Sequence, residues 1–213
     1  MYVPAHFDEP RLDALHALIR QHPFGALVTH GAQGLDANHL PFDLRARPGE
    51  PGVLHAHVAR ANPLWREVKD GDEVMVVFQA GDAYISPNWY PSKQEQHKQV
   101  PTWNYMVVHA HGRIRVHDDE RFVRAVLGRL TKTHEASQPA PWKMADSPRE
   151  FIDTLVQAIV GIEIEITRLA GKVKLSQNRE LRDLQGAAEG LRAGGNEAVA
   201  AAMLARAQGR TPG

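Results

Sequence analysis

Val100-Pro101-Thr102-Trp103-Asn104-Tyr105 runs on through Met106-Val107-Val108-His109-Ala110-His111-Gly112. The second half alternates like a strand. Tyr105, Val107, His109 and His111 fall on one face, Met106, Val108 and Ala110 on the other. Pro101 ends whatever precedes the strand. Trp, Asn and Tyr then arrive together at its mouth, a costly group to bury unless it meets a partner. They suit the edge of a planar, polar heterocycle, and equally a core Trp and Tyr at a strand start.

Outward from this stretch, the chain alternates short strands with a few helices. Asp8 reads as the cap of a helix carrying Leu12, Leu15, Leu18 and Ile19. Phe24 to His30 and Leu35 to Leu44 read as a hairpin around Gly31 to Gly34, bent at Pro41. Val53 to Val58 is a strand, and Asn62-Pro63 starts a short helix. Glu73 to Phe78 and Ala83 to Ser86 read as two strands divided by a Gly81-Asp82 turn. Asn88 to Gln99 is polar and reads as a loop.

The central strand continues to Val116. Asp118 is placed as the cap of a helix through Leu130, and Ala136 to Ala145 as a linker. Ser147-Pro148-Arg149-Glu150 has the form of a capping box. Gly161 opens a strict alternation. Ile162, Ile164 and Ile166 share one face; Glu163, Glu165 and Thr167 share the other. Glu163 and Glu165 are expected opposite Arg113 and Arg115 on a neighbouring strand. Gly171 is expected to turn the chain. Two helices follow, Arg179 to Leu191 and one ending at Arg206, and the last residues are expected to fray. Many turn-spaced strands with helices outside the strand run predict an α+β fold, an antiparallel barrel or sandwich.

The 213 residues carry 25 basic and 25 acidic side chains, so no global cationic excess is available for nucleic acid. There is no cysteine, hence no disulfide frame, thiolate metal site or catalytic thiol. The start lacks a signal-peptide pattern and no apolar run reaches membrane-spanning length, so a cytoplasmic protein without a membrane partner is expected.

Four groups of residues could carry chemistry. Arg60 precedes the helix start at Asn62, where a guanidinium beside free helix amides would hold phosphate. Lys172, Lys174, Ser176, Gln177 and Asn178 supply cations, hydroxyl and amides on a Gly-led segment. His39-Leu40-Pro41 sits where a proline leaves backbone groups free for a ligand. His55-x-His57 and His109-x-His111 place paired imidazoles on strand faces, for a metal or, more simply, inside a polar sheet.

Together Met1-Tyr2-x-Pro4-x-His6-Phe7, His39-Leu40-Pro41-Phe42, His57-x-Ala59-Arg60-Ala61-Asn62-Pro63, Ala83-Tyr84-Ile85-Ser86-Pro87-x-Trp89-Tyr90, Val100 to Tyr105 and Gly171-x-x-Lys174-Leu175-Ser176-Gln177-Asn178 resemble the PaiB-type family of FMN-binding negative transcriptional regulators. The resemblance implies a Greek-key split β-barrel over residues 1–175 with a helical extension over 176–213. It implies a homodimer with FMN at the subunit interface. Arg60 and Asn62 would meet the phosphate, His39, Leu40 and Pro41 would run along the isoalloxazine, and Trp103, Asn104, Lys174, Ser176, Gln177 and Asn178 would close the site. Arg60 is followed by Ala61 where the wider oxidase group pairs Arg with Lys, so the second cation is expected from Lys174. The expected function is redox or redox-sensing. The alternatives are a repressor binding DNA directly and a histidine-based metal or haem binder.

Overall fold

The computed structural model describes residues 1–208; the expectation for the last residues lies outside the described residues. The strands are β1 (Phe24–Gly31), β2 (Gly34–Pro41), β3 (Asp43–Arg45), β4 (Val53–Ala59), β5 (Glu73–Ile85), β6 (Thr102–His117) and β7 (Ile159–Lys174). They form one antiparallel sheet in the order β2-β1-β5-β6-β7-β4-β3. The helices are α1 (Leu12–Gln21), α2 (Leu64–Glu67), α3 (Pro91–Gln96), α4 (Glu120–Glu135), α5 (Arg149–Gln157), α6 (Leu181–Ala193) and α7 (Glu197–Gln208). The chain divides into two compact units, and β5, β6 and β7 run from one into the other.

The larger unit comprises Leu12–Phe78 and His109–Leu169. Its interior follows strand parity. Leu27 of β1, Leu54 and Ala56 of β4, Val76 of β5, Ala110 of β6, and Val160, Ile162 and Ile164 of β7 are fully buried. Removing these side chains from water is the main stabilising term. The first and last strands of the order, β2 and β3, are consecutive in sequence and joined by Phe42 alone. The Phe42 amide donates to the Pro23 carbonyl at 2.9 Å, and its ring packs edge-on against Phe78 at 5.6 Å. Gly112 and Gly161 let neighbours approach closely. A Cβ on Gly112 would lie 2.4 Å from the Glu165 carbonyl oxygen, and one on Gly161 2.4 Å from the Phe122 ring.

The smaller unit comprises Met1–Arg11, Gln79–Val108 and Ala170 onward, and contains α3, α6 and α7. Helix α6 lies on Trp89. A Cβ on Gly190 would sit 2.3 Å from the indole, and one on Gly186 2.3 Å from the Trp89 carbonyl oxygen. The buried Asp183 of α6 accepts from the Ser92 amide at 3.0 Å and from its hydroxyl at 2.6 Å.

Several local expectations change. Glu73 to Ile85 is one strand, because Gly81 adopts φ +106° and is absorbed without a reversal. Gly171 likewise lies inside β7, where its carbonyl accepts from the Glu9 amide. The polar run from Asn88 is organised: Ser86 caps a 3-10 turn over Pro87–Trp89 and α3 follows, held by Asp183. Ala5–Phe7 is a 3-10 turn, and Asp8 bridges Lys172 rather than capping α1. Asp119, not Asp118, caps α4, accepting from the Phe122 amide at 2.8 Å. Ser147 makes no capping bond; Pro148 occupies the N-cap of α5. Of the charge pairing expected across β6 and β7, Arg115 lies 3.9 Å from Glu163, whereas Arg113 lies 3.8 Å from Glu73 of β5 instead.

Candidate functional site

In the smaller unit, strand parity brings a set of flat rings and cations to one face. On β6, Asn104 and Val108 are buried, so Trp103 and Tyr105 point the other way. Trp103 is 54% exposed, the wrong state for a core indole. Tyr84 of β5, also exposed, meets Trp103 edge-on with ring centroids 6.0 Å apart. On β7 the buried Val173 leaves Lys172 and Lys174 on the opposite face. The Lys172 ammonium lies 5.3 Å from the Tyr105 ring centre and 5.7 Å from that of Tyr2. Lys174 donates to Thr102 Oγ1 at 2.5 Å and to the Trp103 carbonyl.

Electrostatics marks the same place. Burial, with repulsion from Lys172 and Arg179, holds the Lys174 ammonium below its ordinary pKa. A dianion brought to this cluster would relieve that repulsion. A molecule with a phosphate at one end and a planar ring at the other therefore fits the residues present: cations for the phosphate, and Trp103, Tyr105 and Tyr84 for the ring.

Asn104 and Ser176 serve from beneath. Both are buried. The Asn104 amide donates to Ser176 Oγ at 2.9 Å and to Met203 Sδ at 3.3 Å. Ser176 carries φ +60°, a left-handed conformation that an L-residue adopts only when its surroundings hold it. Gln177 closes its own turn, accepting from the Leu175 amide at 2.7 Å and donating to the Val173 carbonyl at 2.5 Å. Asn178 is exposed. These residues shape the end of β7, and Lys174 is the member of the segment that reaches the aromatic face.

The remaining predicted residues belong to the larger unit. Arg60 Nε donates to the Gln157 carbonyl at 2.7 Å. Its two terminal nitrogens bond Asp118 at 2.9 and 2.5 Å, and one also reaches the Ile159 carbonyl at 3.3 Å. A phosphate at this guanidinium would have to compete with Asp118. Asn62 donates to Asn38 Oδ1 at 2.7 Å and accepts from the Leu64 amide at 2.9 Å, which starts α2. His39 is exposed on β2 and stacks with Phe24 at 6.3 Å; Leu40 and Pro41 are half-buried beside it.

The register extends that last observation. Phe24, Ala26 and Val28 of β1 face Pro41, His39 and Ala37 of β2, while Ala26 and Val28 also face Val77 and Met75 of β5. These side chains share one face of the sheet, and Phe24 is 64% exposed on it. Such an apolar face is more than scattered surface hydrophobes.

Among the described residues, no group of three or more His, Asp or Glu side chains is placed to hold a metal ion. His55 Nδ1 lies 2.8 Å from Arg129, and its Nε2 lies 3.4 Å from Glu163. Burial, with Arg129, pushes the His55 imidazole down in pKa, and burial does the same to His57, His109 and His111. Tyr84 and Tyr2 were not among the expected site residues. The parity that places Trp103 on an open face was the signal for their neighbourhood, but strand pairing was needed to find them.

The fold is that of an α+β, antiparallel split-barrel protein. A solved FAD and heme binding protein from Mycobacterium smegmatis shares the fold with a TM-score of 0.56 at 17% identity, over 78% of this chain and 73% of that one. The family model described as "Putative FMN-binding domain" matches residues 1–168. The chain therefore belongs to that FMN-binding family, in line with the PaiB-type resemblance of its motifs, and FMN is its cofactor. An uncharacterized protein of Emericella nidulans is 32% identical, covering 93% of each chain. Protease synthase and sporulation protein PAI 2 of Bacillus subtilis is 29% identical, covering 90% of this chain and 89% of that one.

Proposed function

We propose that this chain is an FMN-dependent redox or redox-sensing protein that works as a homodimer and, like its Bacillus relative's role in protease synthesis and sporulation by name, serves regulation. The observation that carries the reading is the exposed Trp103–Tyr105 face with Lys172 and Lys174 beside it. FMN supplies electron-carrying chemistry when bound. The chain's own residues bind and orient it: Lys172 and Lys174 offset the phosphate charge, and Trp103 gives the ring a flat surface with Tyr84 edge-on beside it. Met75, Val77, Ala26, Val28 and Phe24 form the surface that a second copy would cover. Assembly on this apolar face follows the physics of obligate interfaces.

Equilibrium dialysis against FMN tests the reading. Retention near one FMN per chain is expected. Trp103→Ala should weaken it by about tenfold, the value of losing one base-sized stacking contact. No retention by the unaltered protein at excess FMN would overturn the assignment of this face.

A further inference from the structure

A cavity lies within the larger unit and uses none of the residues assigned above. It is a cleft of about 860 Å³ lined by Arg20 in the last turn of α1 and Pro23 after it, by residues 42–47 and 50–53, by Thr133 and His134 at the end of α4, and by Glu165 and Ile166 of β7. This is the size of a small-molecule site. The wall is pinned. Gly52 accepts through its carbonyl from the Ile166 amide at 3.0 Å, and the Pro51 carbonyl lies 2.9 Å from His16 Nε2. Gly52 sits at φ +95°, and a Cβ there would meet the Arg45 carbonyl oxygen at 2.7 Å, so the loop follows this path only as glycine.

Its charge is mixed, with arginine in excess once Asp43 is taken up by Arg129. Arg20, Arg45 and Arg47 are exposed at the α1 and β3 side, and none is in an ion pair among the described residues. Asp43, the nearest carboxylate on β3, is taken by Arg129 at 2.5 Å. Glu165 stands across Val53 from Arg45 in the sheet register, and Glu50 lies on the loop. Phe42, Leu44 and Ile166 form an apolar floor. Three guanidiniums outside any ion pair, against the carboxylates of Glu50 and Glu165, leave the apolar cleft with a cationic excess that matches one ligand chemistry: a carboxylate or sulfonate head on an aryl or branched apolar body.

We infer that this cleft is a small-molecule effector site for apolar organic anions, separate from the flavin face. The test uses protein saturated with FMN and the anionic dye 8-anilinonaphthalene-1-sulfonate as probe. Fluorescence titration should show one saturable site per chain. The triple change Arg20→Gln, Arg45→Gln and Arg47→Gln should weaken binding by about tenfold or more, since charge-assisted bonds are lost. Thr133→Trp, which fills the cleft from an exposed helix position and removes no charge, should also weaken it. The neutral dye N-phenyl-1-naphthylamine should bind less well than the sulfonate. Unchanged affinity in the triple variant, or equal binding of the neutral dye, would overturn the inference.

Discussion

At the residue scale, His57 shows how burial sets a charge state. It is half-buried on β4, its Nδ1 has no hydrogen-bond partner, and burial alone lowers its pKa. The unfolded imidazole titrates at about 6.5. Above that pH both states are neutral and stability is unaffected. As pH falls below about 6.5 the unfolded chain takes up the proton first, so stability declines until the folded imidazole also protonates. Urea unfolding between pH 8 and 5 should show this loss, and His57→Gln should reduce its slope, with His55, His109 and His111 carrying the rest. An unchanged slope in the variant would assign the pH dependence elsewhere. The same scale explains what the sequence could and could not tell about the site. Trp103 and Lys174 stood out because an indole at a strand mouth and lysines on a strand face are chemically conspicuous. That Arg60 is held by Asp118 was not legible, because Asp118 is 58 residues away and read as a helix cap. Asn104 was singled out for its amide, yet its partners Ser176 and Met203 lie 72 and 99 positions distant.

Elements were legible where periodicity is strong. The isoleucine alternation of β7 and the hairpin of β1 and β2 follow from period two and a Gly-led turn. Glycines were harder, because the same residue serves a turn, a bulge or a close contact. Gly81 and Gly171 stay inside strands, and only strand pairing reveals it. Helical glycines give a sharp contrast. Gly128 in α4 would place a Cβ 3.6 Å from Met144, an ordinary contact, whereas Gly190 in α6 would place it inside the Trp89 ring. Gly128→Ala should therefore stabilise the protein by about 0.5–1 kcal/mol through helix propensity. Gly190→Ala should destabilise it by about 1–3 kcal/mol, because overpacking outweighs the same gain. Thermal melts of the two variants should move in opposite directions, and a shared direction would contradict this packing.

At the scale of the whole molecule, the antiparallel architecture and the cofactor were legible from ordered motifs, while partners across sequence were not. The apolar face of β1, β2 and β5 is the surface proposed for the homodimer. Val28→Glu places a charge at its centre, opposite Met75 and Ala37, where burial of an unpaired carboxylate is costly. Sedimentation should show the unaltered protein as a dimer and the variant shifted toward monomer, with melting in dilute solution little changed if the face is not needed for the fold of one chain. A monomeric unaltered protein would remove the interface from this surface.

Joining β2 to β3 through Phe42 alone leaves no slack between the two ends of the strand order. One extra residue spliced in after Phe42 would reverse the parity of β3, turning Leu44 toward water and Asp43 or Arg45 inward. A connecting loop elsewhere, such as the one around Gly49, can lengthen at little cost. This single hinge residue thus acts as the clasp of the larger unit: length there is intolerable, and chain variation among relatives should collect everywhere but at that joint.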